Sequence, residues 1–299
     1  MNNRSTSIQL LDPDVRHFIT SGFDSTVAPI WNKYVNVKTS QQRSERSSVL
    51  IGPGGVARKP EGAAIVYDSM IPGTTKNFIH DTFALGLRAS MELLADNLHQ
   101  ELFNAAKMLG ASARKSIEYQ VADLLNSGFS TSVRSSGDGV AFFSASHTFG
   151  KDTVVTLTGP SALNISTFYE ALYVLRGQKD GRGYNANIGN GKLQLIVPIA
   201  LTDVAYAIKN SMQTPGSADN DASYAASLNL EIIVNPYLTS TTAWFLLSPG
   251  EHDLTYFQRM KVQTYNDGDF NTLDKKWALV YRHSLGQNDP RGIVANQGV

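Results

Sequence analysis

Gly52-Pro53-Gly54-Gly55-Val56-Ala57-Arg58-Lys59 comes nearest, in residue type and spacing, to a loop that could cradle phosphate. Such a loop needs backbone N–H groups, a lysine, a Ser or Thr hydroxyl for magnesium and a helix N-terminus behind it. Pro60 stands where the hydroxyl belongs and no helical pattern follows, so nucleotide binding is not expected; Gly189-Asn190-Gly191-Lys192-Leu193 fails for the same reason. His17, His80, His99, His147, His252 and His283 are scattered, with no HExxH and no pair at i, i+4 spacing. Cysteine is absent, which removes disulfides and thiolate zinc sites and fits a reducing compartment. Ser144-Ala145-Ser146-His147 and His80-Asp81-Thr82 contain hydrolase residue types, and a soluble α+β hydrolase using Ser146, His147 and a distant aspartate is one alternative. No GxSxG turn supports it. No catalytic residue, cofactor or metal site is therefore expected.

A chain of 299 residues can bury a good core as one domain or as two interwoven ones. Lys plus Arg and Asp plus Glu number 26 each, so no global field draws the protein to nucleic acid or an anionic membrane. Met1 to Leu10 lacks the basic-plus-apolar pattern of an export signal, no apolar run approaches ~20 residues, and no membrane partner is expected. Without export the sequon Asn164-Ile165-Ser166 carries no meaning.

Met91, Ala95, Leu98, Leu102, Ala105 and Leu109, continued by Ala113, Ile117, Val121 and Leu124, form one helical stripe. The spacing predicts one bent helix over 91–126, with Ser90 as N-cap, Glu92 in its first turn, Ser127-Gly128 as its stop and Gly110 as its weak point. Residues 36–62 hold few large aliphatics, Val37, Val49, Leu50, Ile51 and Val56, too few to offset an ordering cost of roughly 1–2 kcal/mol per residue. β-type runs at 49–51 and 63–67, with turn-formers between, predict a projecting hairpin whose open edges need another chain to cover them. Its charges, Lys38, Arg43, Arg46, Arg58 and Lys59 against Glu45 and Glu61, admit three readings: solvated charge, DNA contact, or docking on an acidic neighbour. Beyond Gly159 a mixed module is expected, with helices at 166–175 and 201–212 and strands at 193–198, 228–235 and 243–247. Gly181–Gly191 and Thr214–Ser227 read as surface loops.

At the end of the chain, Met260-Lys261-Val262-Gln263-Thr264-Tyr265-Asn266-Asp267-Gly268-Asp269-Phe270 and Lys275-Lys276-Trp277-Ala278-Leu279-Val280-Tyr281-Arg282-His283 read as two strands turning at Asp267-Gly268. Asp289-Pro290-Arg291-Gly292 follows in a tail, 289–299, expected as an interface or surface strap. Together with Leu175-Arg176-Gly177-Gln178-Lys179-Asp180-Gly181-Arg182-Gly183 and Glu231-Ile232-Ile233-Val234-Asn235-Pro236-Tyr237-Leu238, this block resembles the major head proteins of tailed bacteriophages, in particular the Mu-type major head subunits.

The resemblance implies an α+β, HK97-like capsid fold. Its parts would be an N-terminal arm (1–35), an extended E-loop hairpin (36–77), a peripheral domain (78–158) with the spine helix, an axial domain (159–248), and a peripheral return hairpin with the tail (249–299). It implies a non-enzymatic subunit of the virion shell, assembled in the host cytoplasm as hexamers and pentamers around double-stranded DNA. An encapsulin-like compartment of the same architecture is the alternative. It further implies a separate scaffolding protein, a portal, possible decoration proteins, non-specific contact with packaged DNA, and either 181–191 or 214–227 at the capsomer axis. Candidate inter-subunit contacts are Arg43, Arg46, Arg58, Lys59, Glu61, Asp219, Asn220, Asp221 and Arg291. Lys59 is placed like the donor of an isopeptide cross-link, but no catalytic glutamate can be assigned and no such bond is expected.

Overall fold

Two glycines, Gly22 and Gly110, decide how the two longest helices meet. The structure, a computed structural model, describes residues 4–24, 28–96, 99–211, 223–269 and 271–299, with side chains at all of these except 4–11 and 95. In chain order the elements are α1 (Arg4–Phe23), β1 (Asn36–Thr39), β2 (Ser44–Ile51), β3 (Ile71–Ile79), β4 (Asp81–Ala89), α2 (Met91–Ala95), α3 (His99–Asn126), β5 (His147–Phe149) and β6 (Asp152–Val154). There follow β7 (Leu157–Thr158), α4 (Ile165–Arg176), β8 (Leu193–Val197), α5 (Thr202–Asn210), α6 (Tyr224–Ser227), β9 (Leu230–Val234), β10 (Trp244–Leu247), β11 (Thr255–Gly268), β12 (Lys275–Gly286) and β13 (Ile293–Asn296).

The apolar stripe folds as expected from Leu102 onward: Leu102, Leu109, Ala113, Ile117, Val121 and Leu124 are all buried. Its start differs. In place of one helix over 91–126 there are two, because α2, capped by Ser90 accepting from Leu93 N at 3.3 Å, ends at Asp96, and Met91 is half exposed. The three-and-four spacing runs across this boundary and carries no sign of it. Gly110, expected as the weak point, lies inside the unbroken 28-residue α3. It is where α1 crosses: a Cβ there would lie 2.0 Å from Ile19 O, and one on Gly22 would lie 2.0 Å from Lys107 O. Phe18 stacks on Phe103 beside this crossing at 4.7 Å. Glu118, also on α3, accepts from Ile30 N at 2.8 Å and Trp31 N at 3.2 Å, fixing the segment after α1 to the same helix. Burial raises the Glu118 carboxyl, and the two amides oppose that rise.

Among the described residues, β1-β11-β12-β4 form a four-stranded sheet and β7-β13-β10-β8-β9 a five-stranded one. The first alternates, with Trp277, Leu279, Tyr281 and His283 of β12 buried toward α1 and α3. The second is covered on both faces, so β8, β10 and β13 are buried at every position. Ile196, Phe245, Leu247 and Ile293 join the α3 core, while Leu195, Trp244, Leu246 and Val294 pack with Phe168, Leu172 and Leu175 of α4. Strands buried on both sides read as continuous apolar runs, as these do. The mixed module beyond Gly159 thus has the expected elements, with one correction: 224–227, expected as the end of a surface loop, form α6 with Ala225 buried in the α4 core. Asn164 is the N-cap of α4, accepting from Thr167 N at 2.9 Å, which is the local reason for its place in the sequon.

Two expectations for the chain's end need correction. Asp267 and Gly268 are paired with Lys276 and Lys275 and continue β11, so they are not the turn. The reversal is closed by Asp269 N donating to Asp274 O at 2.9 Å, with Asp269 Oδ1 accepting from Asn271 N at 3.0 Å and Leu273 at φ 59°. The aspartate side chain supplies the turn that a DG pair was expected to supply. The tail is not a surface strap either: Ile293–Asn296 are buried as β13, parallel to β7 and antiparallel to β10. Its unbroken apolar character, Ile293-Val294-Ala295, is that of a strand covered on both faces.

Candidate functional site

The hairpin of β2 and β3 is antiparallel from Ser44 opposite Ile79 to Ile51 opposite Ile71, with an irregularity between Ser48 and Leu50. The expected partner run at 63–67 is not a strand. It lies in the tip, 52–70, where every residue but Gly54 is exposed. Val56, Ile65, Val66, Tyr67 and Met70 project there with no apolar cover. Arg58, Lys59 and Glu61 sit in this exposed tip, and Arg43 and Arg46 are exposed near the start of β2. Asp219, Asn220 and Asp221 lie outside the described residues. Arg291 is committed within the chain: its guanidinium bonds Asp289 at 2.7 Å and lies 4.0 Å from the centre of the Phe149 ring.

The sequence reading missed the residues that hold the hairpin. At its neck Ile51 packs with Phe149 and Val154. Arg182 reaches across from the 177–191 loop, donating to Gly52 O at 3.2 Å and to Ser69 O, and pairing with Asp68 at 3.3 Å. Asp68 Oδ2 also accepts from Gly54 N at 2.7 Å; this amide and that of Ser69 are the main reasons its carboxyl is lowered, with Arg182 adding to them. Midway along, the buried Asn288 amide donates to Ser47 O at 3.0 Å and Thr74 O at 3.2 Å, one from each strand. Lys76 of β3 lies 5.7 Å and 5.2 Å from the Phe78 and Phe142 rings and donates to Ser135 O. Burial, with the Arg134 charge, brings its ammonium down to about 8. Arg182 belongs to one of the segments that carried the family resemblance; Asn288 had no signal but its place between two strands.

At the root, His80 is the residue between β3 and β4. Its Nε2 is 2.9 Å from Ser40 Oγ, which itself donates to Glu45 Oε1 at 2.6 Å, and its Nδ1 is 3.0 Å from Ser284 Oγ. One ring therefore ties the entry to β2, the exit from β3 and β12 together. His283, stacked 4.7 Å from Phe83 and 4.8 Å from Tyr256, is its neighbour. Burial lowers both imidazoles, His283 to about 4, with His80 adding to the shift on His283. A histidine lowered on folding contributes stability that is complete above its unfolded value of about 6.5 and is lost as pH falls below it. The protection of amides in β2 and β3, corrected for the intrinsic pH dependence of exchange, is accordingly expected to fall as pH drops below about 6.5, and less so in His80→Gln. Equal pH dependence in the variant would refute the assignment to this ring.

The hydrolase arrangement is not assembled. His147 is fully buried, with Nδ1 2.8 Å from Asp138 and Nε2 3.2 Å from Phe142 O and 3.1 Å from Thr156 Oγ1, whereas Ser146 Oγ is 3.2 Å from Ser144 Oγ. A base for Ser146 would need an Nε2 turned toward that hydroxyl. Among the described residues no group of three or more His, Asp or Glu could hold a metal ion, and no helix is long and apolar enough to cross a membrane.

A long helix on an alternating sheet, a second sheet with its own core, and a long hairpin with uncovered apolar residues define a shell-forming subunit of the HK97-like fold. The chain belongs to the phage capsid protein family, whose sequence model matches residues 73–296, and it is a major capsid protein of the virion shell. The capsid of cyanophage P-SCSP1u superposes with a TM-score of 0.61 at 10% identity, covering 91% of this chain and 88% of that one. Mycobacterium phage Che8 gives 0.54 at 14% identity, covering 91% and 92%. A virus-like particle from Pyrococcus furiosus gives 0.50 at 10% identity, covering 95% and 98%. No curated protein sequence matches. The family and these neighbours are structural proteins.

Proposed function

We propose that copies of this chain associate into hexamers and pentamers that close an icosahedral head around the double-stranded DNA of a tailed phage, with the 44–79 hairpin acting as an E-loop laid across a neighbour. In this reading 1–35 is the N-terminal arm, the four-stranded sheet with α3 is the peripheral domain, and the five-stranded sheet with α4 and α5 is the axial domain, completed by β13. The observation that carries it is the uncovered tip: Ile65, Val66 and Tyr67 are 64%, 76% and 91% exposed in the single chain. Contiguous apolar surface of this kind marks a contact with another molecule. Heterologous contacts that close into rings supply one for every copy.

A separate scaffolding protein, the portal and decoration proteins are the expected partners, and contact with packaged DNA is non-specific, in keeping with a formal net charge of zero. Of the two candidate axis loops, 181–191 has Arg182 turned toward the chain's own hairpin, and 214–227 lies up to residue 222 outside the described residues. Particles should resolve into monomers on denaturing gels, since Lys59 has no assigned catalytic partner.

Electron microscopy of the purified protein, alone and with its scaffolding partner, tests the reading. Wild type is expected to form closed shells, and a variant with 56–67 replaced by a Gly-Ser linker is expected to remain folded yet unassembled. Wild type that stays monomeric at high concentration in both conditions would overturn it, as would normal shells from the linker variant.

A further inference from the structure

The four-stranded sheet carries opposite, unmatched charge at its two ends. Where β4 ends, the cations are used within the chain: Arg88 pairs with Asp274, Lys275 with Asp12 at 3.6 Å and Lys276 with Asp269 at 2.7 Å. Glu92 and Asp96 of the α2 turn and Glu101 in the first turn of α3 are exposed beside them, and no described side chain pairs with any of the three. Where β4 begins, the situation is reversed. Arg282 lies beside Thr82, and Arg259 sits in the irregularity of β11 between Gln258, opposite His283, and Met260, opposite Arg282. Arg259 Nε and Arg282 Nε are buried with no hydrogen-bond partner. Arg259, Arg282 and the exposed Lys261 form no ion pair among the described residues. An open groove of about 440 Å³ is lined by Thr39, Ser40, Gln41, Gln258, Arg259 and Lys261, and Arg282 lies on the next strand outside its lining. Arg43 follows Gln41 closely in the chain. The acids here are Glu45, bonded to Ser40, and Asp81.

Guanidinium groups on neighbouring strands that form no ion pair repel each other, and a carboxylate brought beside them relieves this. Neither Glu45 nor Asp81 forms an ion pair with them among the described residues, and the acids of the α2 turn do not reach: the nine residues of β4 separate the two ends by about 27 Å, several times the ~8 Å Debye length at physiological salt. Taking the shell reading above as given, we infer that the groove at Arg259, Lys261 and Arg282 receives the acidic turn at Glu92, Asp96 and Glu101 of a second copy. The contact is head-to-tail, using two different surfaces of one chain, and such contacts propagate into rings or lattices. Charge of this kind chiefly sets encounter rate and register.

The test uses the full chain and charge reversal. Variant one is Arg259→Glu with Lys261→Glu, backed by Lys261→Glu alone in case the half-buried arginine is needed for folding; variant two is Glu92→Lys with Asp96→Lys. Each, checked by circular dichroism and thermal melting as folded, is expected to lose at least about tenfold in shell yield at physiological salt. Both reversals placed in one chain are expected to restore shells, because every acidic groove then meets a basic turn of the next copy in rings of five and six alike. Shells from either folded variant at wild-type yield, or a folded double reversal that stays unassembled, would overturn the contact while leaving the shell reading intact. Loss of binding to a short DNA duplex with unchanged assembly would reassign the groove to phosphate and overturn it too. Wild type that forms no shells would remove both.

Discussion

Asp138→Ala is expected to destabilise the fold by about 3–5 kcal/mol, the usual cost of leaving one partner of a buried ion pair alone. His147 is 0% exposed, and both its ring nitrogens face acceptors, Asp138 on one side and Phe142 O with Thr156 Oγ1 on the other. The carboxylate thus holds one edge of a ring that no water can reach. Asp138 also accepts from Val140 N at 3.2 Å and Thr148 N at 3.3 Å, so its loss strands the amides of two segments at once. The melting temperature should fall by on the order of 10 °C, and Asp138→Asn, which keeps an acceptor but not the charge, should fall between. Burial raises the Asp138 carboxyl, but the His147 hydrogen bond, the His147 charge and the two amides outweigh it, and the net shift is downward. The contribution of this group is therefore complete above an unfolded value of about 4 and is lost as pH falls through the lower folded value. Denaturant titrations at pH 7 and in acid check both statements. A loss below about 1 kcal/mol at pH 7 would mean that the pair is not buried as described.

Gly110→Ala is expected to destabilise the protein by about 2 kcal/mol, although alanine is favoured over glycine within a helix by about 1 kcal/mol. Propensity and packing oppose each other here, and distance decides between them. The new Cβ would meet Ile19 O at 2.0 Å and Phe23 N at 2.7 Å, both backbone atoms of α1, so relief requires the whole helix to move. Gly22→Ala, which would meet Lys107 O at 2.0 Å, should act alike and combine with Gly110→Ala less than additively, since one displacement relieves both. Gly159→Ala, with open space around its Cβ, is the control and should stay within about 0.5 kcal/mol of wild type. Calorimetry gives the stabilities, and amide exchange in α1 shows whether that helix has come away. A stabilised Gly110→Ala would show that α1 and α3 do not cross at this point.

Helix and strand periods read correctly wherever an element packs against the chain's own core. The stripe from Leu102 to Leu124, the run Leu193–Val197, the run Trp244–Leu247 and the helix Ile165–Arg176 all bury what their spacing said they would. Errors collected where a distant contact overrides local preference. Gly110 looked like a hinge because the helix that crosses it lies far away in sequence. Ala63–Tyr67 looked like a strand because its residues favour sheets, yet its partner strand begins only at Ile71, leaving it exposed in the tip. Gly268 looked like a turn, while Asp269 and Asp274 close the loop one step later.

The site shows the same division. The exposure of the hairpin tip was legible because residues 36–62 have too little apolar surface for their length. The residues that orient the hairpin were not, since Arg182, Asn288 and Ser284 reach it from segments remote in the chain. The sequence by itself determined the family likeness, the lack of thiols, the balance of charge and the shortage of apolar residues in the hairpin, all properties of composition and local order. Only the tertiary structure decided that β13 completes the five-stranded sheet, that His80 closes the hairpin root, and that Arg259, Lys261 and Arg282 form no ion pair among the described residues while Arg88, Lys275 and Lys276 do. These depend on which distant segments share a surface, and local spacing does not encode that.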